Sequence, residues 1–193
     1  MRSGLDLQAL DAAALAQDIA RANAWLHDDS PEQAKLAALQ QTLRSRTEAT
    51  KAASESQLAG ALGVRAGDYA AQAEPMTGTI ASGEVTIPQA VREYVSEQGR
   101  LYVKVTDTGP SPALRAPIID ALTSPRALAG RFSRGALVHG YPALVTFAPA
   151  NQSGKAAVIV NERYLVEARL APTTEPEGII RALEAFDWSR LGK

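Results

Sequence analysis

The order of strand-type and helix-type segments is the feature that most limits what this chain can fold into. Between residues 101 and 170, β-rich stretches follow one another across short turns, and a single helical stretch interrupts them. Strands that come in such runs pair as antiparallel neighbours, because parallel strands need a long crossover between them. The sequence therefore predicts an α+β domain: an antiparallel β-sheet with helices packed on one face.

The predicted sheet begins with a hairpin that pairs residues 91–96 with residues 101–106 across a Glu-Gln-Gly loop. Residues 87–96 also have helical spacing, so both assignments stay open there. A meander follows, and its last strands contain a continuous apolar run typical of a central strand. The strands of the meander are predicted at residues 136–139, 143–147, 156–160 and 163–170.

Two helices are predicted beside these strands. The first spans residues 111–122, and Pro117 makes it short or kinked because proline removes a hydrogen-bond donor from a helix interior. The second spans residues 176–186 and closes the domain. Its apolar face consists of Ile179, Ile180, Leu183 and Phe186, with Trp188 beside it.

The N-terminal part of the chain has a different composition. It is rich in Ala, Leu, Gln and Arg and has one proline, whereas β-branched residues, Gly and Pro become common later. Apolar residues at helical spacing run from Leu15 to Leu26, and residues 30–33 (Ser-Pro-Glu-Gln) form a capping box with proline at the first helical position. The sequence predicts an N-terminal helical hairpin over residues 1–62, with arms on the order of 30 Å long. An α+β sandwich domain over residues 63–193 follows.

Composition excludes several kinds of chemistry. The chain has no cysteine, so it has no thiol nucleophile, disulfide, thiolate zinc site or iron–sulfur cluster. Its 20 basic and 21 acidic residues are interleaved and give a formal net charge of −1. Nothing in the overall charge attracts nucleic acid or an anionic membrane, so no nucleic-acid partner is expected.

The N-terminus and the hydropathy indicate where the protein resides. No stretch approaches the roughly 18–20 apolar residues that cross a bilayer, so no transmembrane segment is expected. Asp6, Asp11 and Asp18 interrupt what would be the apolar region of a signal peptide. A cytoplasmic location is therefore expected. The periplasm or the cell envelope is the alternative, because an export signal can be removed.

Three stretches carry a resemblance to a family: VREYVSEQGRLYVKVTDTG, HGYPALVTFAPANQSGKAAVIVNERYLVEARL and EGIIRALEAFDWSRL. On the basis of these stretches, residues 85–191 resemble a family of uncharacterised bacterial α+β domains. The order strand, helix, meander, helix is also similar to the sheet of the Mog1, PsbP and DcrB group. The resemblance implies the fold and no particular activity, since one fold hosts many functions. Such domains are often exported, which implies an envelope-associated accessory protein as one alternative.

The tripeptide Asp107–Gly109 (Asp-Thr-Gly) ends a predicted strand and matches the one that carries the catalytic aspartate of aspartic proteases. Those enzymes need two carboxylates that share one proton, and this chain has a single copy of the motif. A second chain would have to supply the other carboxylate. Asp and Gly also end strands because both suit turns, and this interpretation is favoured.

The chain has two histidines, His27 and His139. A zinc hydrolase usually takes three protein ligands, so no metal site is predicted. His27 is expected at a helix end and His139 at a strand end. If the protein is an enzyme, the alternative is a hydrolase centred on Asp107, with His139 or Arg134 nearby.

Arg126, Arg131 and Arg134 form a local basic cluster with Phe132. Basic loops with an aromatic residue contact phosphate groups or acidic partners, so these four residues are the predicted binding residues. Because no coherent catalytic set emerges, the sequence predicts a non-enzymatic protein-binding or assembly protein without a cofactor. The N-terminal helical hairpin would be its contact surface, for self-association or for another protein.

Overall fold

The computed structural model describes residues 12–27 and 32–192. In this part of the chain, five α-helices surround one sheet of ten strands. The helices are α1 (Ala12–Leu26), α2 (Glu32–Ser45), α3 (Glu55–Ala61), α4 (Ala116–Ala121) and α5 (Glu177–Glu184), and 3₁₀ turns span Pro112–Arg115, Pro149–Asn151 and Trp188–Leu191. The strands are β1 (Arg65–Ala66), β2 (Tyr69–Ala71), β3 (Met76–Ser82), β4 (Val85–Ser96), β5 (Gly99–Asp107), β6 (Arg126–Leu128), β7 (Arg131–Val138), β8 (Tyr141–Ala148), β9 (Ser153–Val160) and β10 (Tyr164–Ala171).

Every strand pairing in the sheet is antiparallel, in the order β1-β2-β4-β5-β10-β9-β8-β7-β6, and β3 pairs with β4. The predicted α+β class with an antiparallel sheet is therefore confirmed. The ambiguous residues 87–96 are strand, and they form the predicted hairpin in which Ser96 pairs with Gly99. The closing strand β10 lies at the centre, because Tyr164 pairs with both Asp107 and Val160.

The main core lies on one face of the sheet, here called the first face, beneath α1, α3 and α5. At its centre the ring of Phe186 stacks on Trp188 at 4.9 Å and meets the edge of Tyr94 at 5.3 Å. Such contacts add about 0.5–1.5 kcal/mol each to the burial of the rings. The core includes Ala22, Trp25, Leu58, Leu62, Val103, Phe132, Phe147, Val158, Tyr164, Ile179, Leu183 and Leu191.

A smaller cluster lies on the opposite face, here called the second face. Leu43 of α2 packs with Ile119 and Leu122 beside Ile159 of β9. This cluster lies over the first half of β8 and the end of β9. The helix predicted over residues 111–122 is interrupted as expected, since a 3₁₀ turn precedes α4.

The two N-terminal helices are present, and they pack on opposite faces of β7. Trp25 of α1 belongs to the main core with Phe132, whereas Leu36 of α2 reaches the other side of the strand at Gly135. The buried side of α1 contains Ala22 and Trp25, and Ile19 is 38% exposed. The two helices therefore lie on opposite faces of the sheet, near the edge formed by β6.

The second arm was predicted to continue as a helix to residue 62, and this is wrong. The helix ends at Ser45, residues 46–54 form neither helix nor strand, and α3 begins at Glu55. Residues 46–54 form hydrogen bonds with the ends of the central strands, and these replace the bonds a helix would have made. Ser30, the predicted N-cap, and Pro31, predicted at the first helical position, lie outside the described residues, as do residues 1–11, 28 and 29.

Candidate functional site

Asp107 is the last residue of β5, and its side chain is completely buried. Arg163 donates from Nε to Oδ1 at 2.8 Å and from Nη2 to Oδ2 at 2.7 Å. The backbone N–H of Gly109 donates to Oδ1 at 2.9 Å, and that of Ala53 donates to Oδ2 at 2.6 Å. Each carboxylate oxygen therefore accepts two hydrogen bonds, and one of each pair comes from a cation.

The electrostatics of Asp107 follow from this geometry. Burial alone would raise the pKa of its carboxyl group. The hydrogen bonds from Arg163, Ala53 and Gly109 and the charge of Arg163 outweigh that effect and hold the pKa below its usual value. Asp107 is thus a fixed anion at neutral pH, whereas a general acid or base needs a pKa near the working pH.

The same cluster attaches segment 46–54 to the sheet. Arg163 donates from Nη2 to the carbonyl of Lys51 at 2.7 Å, and Thr50 donates from its N–H to the carbonyl of Gly109 at 2.8 Å. Thr108 donates from Oγ1 to the carbonyl of Arg163. Gly109 is required here, since a Cβ would collide with Oγ1 of Thr50. The Asp-Thr-Gly motif therefore joins two strand ends and the segment after α2.

A cleft of about 620 Å³ lies beside this junction, and Gly109 and Arg163 line it whereas Asp107 is behind them. Arg115, 3% exposed, also lines it and donates to the carbonyl of Arg46 at 3.0 Å. Arg46 in turn pairs with Glu162 at 2.8 Å. The cleft thus has acids and bases in comparable number, and its charges largely neutralise one another.

The residues of the hydrolase alternative lie apart. Three strands, β10, β9 and β8, separate Asp107 from the turn that carries His139, which corresponds to roughly 15–20 Å at about 4.8 Å per strand. Nε2 of His139 lies 2.6 Å from the carbonyl of Glu184. Arg134 is buried within β7, where its guanidinium lies 4.9 Å from the ring of Trp25 and donates to the carbonyl of that residue.

The predicted basic cluster is divided between the inside and the outside of the protein. Arg126 and Arg131 are exposed, whereas Phe132 and Arg134 are each 5% exposed. The sequence predicts a loop here, but these residues form β6 and the start of β7, and neighbouring residues of a strand face opposite ways. Phe132 and Arg134 therefore contribute to the interior and not to a surface.

Other cations join Arg131 on the second face. A depression of about 160 Å³ is lined by Arg131, Lys155 and Arg169 together with Thr146, Asn151 and Ser153. Sequence reasoning missed Lys155 and Arg169. Each is an ordinary polar residue of an alternating strand, and only the pairing of β9 with β10 brings them together.

The fold defines the class of this protein as an α+β domain with one antiparallel sheet. No family model matches the chain, and no curated protein matches it. Among solved structures, a GTP binding regulator from Thermotoga maritima is similar over 72% of this chain and 91% of its own, with 14% identity and a TM-score of 0.39.

Two further properties concern residues 12–27 and 32–192. No three His, Asp or Glu side chains there are grouped as ligands of a metal ion would be. No helix in that part combines the length and the apolar character needed to cross a bilayer.

Proposed function

We propose that this chain is a non-enzymatic binding or assembly protein that associates with a second copy of itself through the edge strand β3. The free edge of β3 carries the proposal. The strand pairs with β4 along one side, and no other strand of the described residues pairs with it. Its free edge is seven residues long and contains no charge and no proline.

Natural sheets usually protect their edges with charges, prolines, bulges or very short strands, because unpaired backbone groups recruit other chains. The other end of this sheet follows that rule, since β6 has three residues and one of them is Arg126. The edge at β3 does not. Met76 is 70% exposed and Ile80 is 41% exposed. An unprotected edge with exposed apolar side chains favours a role in association.

A second copy is the occupant that this edge fits best. Two identical strands can pair antiparallel about a two-fold axis, which is the commonest symmetry of protein dimers. With the axis at Thr79, Met76 would lie opposite Ser82 and Ile80 opposite Gly78 of the other chain. No like charges would meet, because β3 carries none.

The N-terminal helices offer a second surface for the same function, as the sequence suggested. The buried side of α1 contacts the main core, which leaves Ile19 38% exposed, and Leu15 is half-buried. This surface is less apolar than the β3 edge. Contacts through α1 would therefore add to an assembly and are not expected to form one alone.

The geometry of Asp107 supports a binding protein over a hydrolase. A catalytic carboxylate must reach substrate or water, whereas Asp107 is fully buried and both of its oxygens are engaged by Arg163 and by backbone N–H groups. The sequence feature closest to a catalytic motif thus has a structural explanation.

Size-exclusion chromatography with light scattering on the full chain tests the proposal. We expect a dimer at about 100 µM, and we expect Ile80→Lys to give a monomer because a lysine on an edge strand opposes pairing. Ile19→Lys tests the helix surface, and Gln41→Lys, on the exposed side of α2, is the matched control for added charge. A monomeric wild type overturns self-association, and a dimer that only Ile19→Lys dissociates assigns the contact to α1.

A further inference from the structure

We infer that the depression on the second face is a binding site for a phosphate group, formed by Arg131, Lys155 and Arg169. This inference is independent of the β3 edge. The three cations come from three different strands and line one concavity of about 160 Å³. No acidic residue lines it.

The register of the sheet brings these side chains together. Lys155 of β9 is directly opposite Arg169 of β10, and on its other side it is opposite Thr146 of β8. Side chains opposite each other in an antiparallel pair have Cβ atoms about 5 Å apart and extend from the same face. Lys155 is therefore flanked by a second cation and by a hydroxyl group.

Like charges directly opposite each other destabilise a sheet, and nothing in the described residues offsets the charges of this pair. Arg131, Lys155 and Arg169 form no ion pair and donate no side-chain hydrogen bond in the part of the chain that the structure describes. The nearest acid along β10 is Glu167, and it pairs with Lys104. An anion in the depression would relieve this repulsion.

Ser153 is the second observation that indicates a ligand. It is 7% exposed and lines the depression, and its hydroxyl group, which makes no hydrogen bond within residues 12–27 and 32–192, is accessible from the depression. Such a hydroxyl group can donate to an anion there. Asn151, which also lines the depression, provides an amide donor at its rim. The site thus combines three cations with neutral donors.

These donors match a phosphate group better than a carboxylate. A phosphate monoester carries a charge of about −1.5 to −2 at neutral pH and has three strong acceptor oxygens. A carboxylate would leave most of the positive charge uncompensated. The guanidinium groups of Arg131 and Arg169 have the planar fork that binds phosphate oxygens in pairs. The volume of the depression suits a single such group.

The position of Tyr102 offers a way to distinguish a nucleoside monophosphate from free phosphate as the ligand. It pairs with Arg169 across β5 and β10, on the side away from Lys155, and it is 45% exposed. Aromatic side chains on an open sheet stack with bases. A nucleoside monophosphate would place its phosphate in the depression and its base on Tyr102, whereas free phosphate would use the depression alone.

Nuclear magnetic resonance titrations of the full chain at constant ionic strength test the inference. Inorganic phosphate should cause saturable shifts of the amide signals of Ser153, Lys155 and Arg169, and acetate should cause much smaller ones. Lys155→Gln and Arg169→Gln should each weaken phosphate binding by roughly tenfold, because each removes a charge-assisted hydrogen bond. Arg65→Gln, at an exposed residue of strand β1, is the matched control and should leave binding unchanged.

A second titration, with adenosine monophosphate, distinguishes between the two sources. If it binds more tightly than inorganic phosphate and Tyr102→Ala removes the difference, the source is a nucleotide. If the two bind equally, the source is free phosphate. Shifts that do not saturate, or binding that survives both Lys155→Gln and Arg169→Gln at wild-type strength, overturn the site.

Discussion

Asp107 and Arg163 form a two-point ion pair across the end of β5 and the turn before β10, with N–O distances of 2.8 and 2.7 Å. The carboxylate is fully buried, and the side chain of Arg163 is 24% exposed. The two residues are 56 positions apart in the chain. Through Lys51 and Ala53 they also attach segment 46–54, so one ion pair connects three parts of the fold.

We expect Asp107→Asn to lower the free energy of unfolding by about 3–5 kcal/mol, the usual cost of removing one partner of a buried ion pair. The amide cannot neutralise Arg163, and its NH₂ group would face backbone donors. Urea denaturation followed by circular dichroism measures the change. Asp120→Asn is the control, since that carboxylate pairs with Arg44 at 2.8 Å on the surface and should contribute less than about 1 kcal/mol. Equal losses in the two variants would contradict the structural role of Asp107.

Stability should depend on pH through Asp107. Its folded-state pKa lies below the usual value of 3.8, so the folded protein binds this proton less readily than the unfolded chain does. The stabilisation is complete above the unfolded value and is lost as the pH falls through the folded one. Urea midpoints between pH 6 and pH 2 should decline more steeply for the wild type than for Asp107→Asn. Parallel curves would show that other carboxylates cause the acid sensitivity.

Trypsin should report on the attachment of segment 46–54. Cleavage after Lys51 requires this exposed segment to leave the sheet, because the Lys51 carbonyl accepts a hydrogen bond from Arg163. We expect cleavage there to be several-fold faster in Asp107→Asn than in the wild type under native conditions. Mass spectrometry of the early fragments identifies the site, and cleavage after Lys35 in α2 serves as the internal reference. An unchanged ratio of the two cuts would mean that the ion pair does not hold the segment.

A substitution at Gly135 tests how α2 and α4 pack on the second face. A Cβ at this position would overlap the carbonyl oxygen of Leu122 and touch Leu36, so Gly135→Ala should destabilise the protein by about 1–3 kcal/mol or more. Gly60→Ala is the matched control in α3, where a Cβ meets nothing within 4 Å. It should stabilise the protein by up to about 1 kcal/mol, because alanine favours a helix. Thermal unfolding of both variants gives the comparison.

Much of the architecture was predictable because it depends on local pattern. Alternating residues indicated the strands of the meander, and helical spacing indicated α5. Pro117 indicated that the helix over residues 111–122 is interrupted, and a 3₁₀ turn does precede α4. The short strands β1, β2 and β6 were missed since two or three residues carry too little periodicity to be recognised. The composition of residues 46–54 predicts a helix, whereas the hydrogen bonds that hold this segment come from distant residues.

The sequence by itself determined the class of the fold: a run of strands, a closing helix and an N-terminal pair of helices. It also singled out Asp107, because Asp-Thr-Gly at the end of a strand matches the motif of aspartic proteases. Only the tertiary structure decided that Asp107 meets Arg163, that Arg131, Lys155 and Arg169 share one depression, and that β3 lies at an edge. The physical reason is that periodicity reports on each segment separately. Strand order and register follow from how all segments bury their apolar faces together.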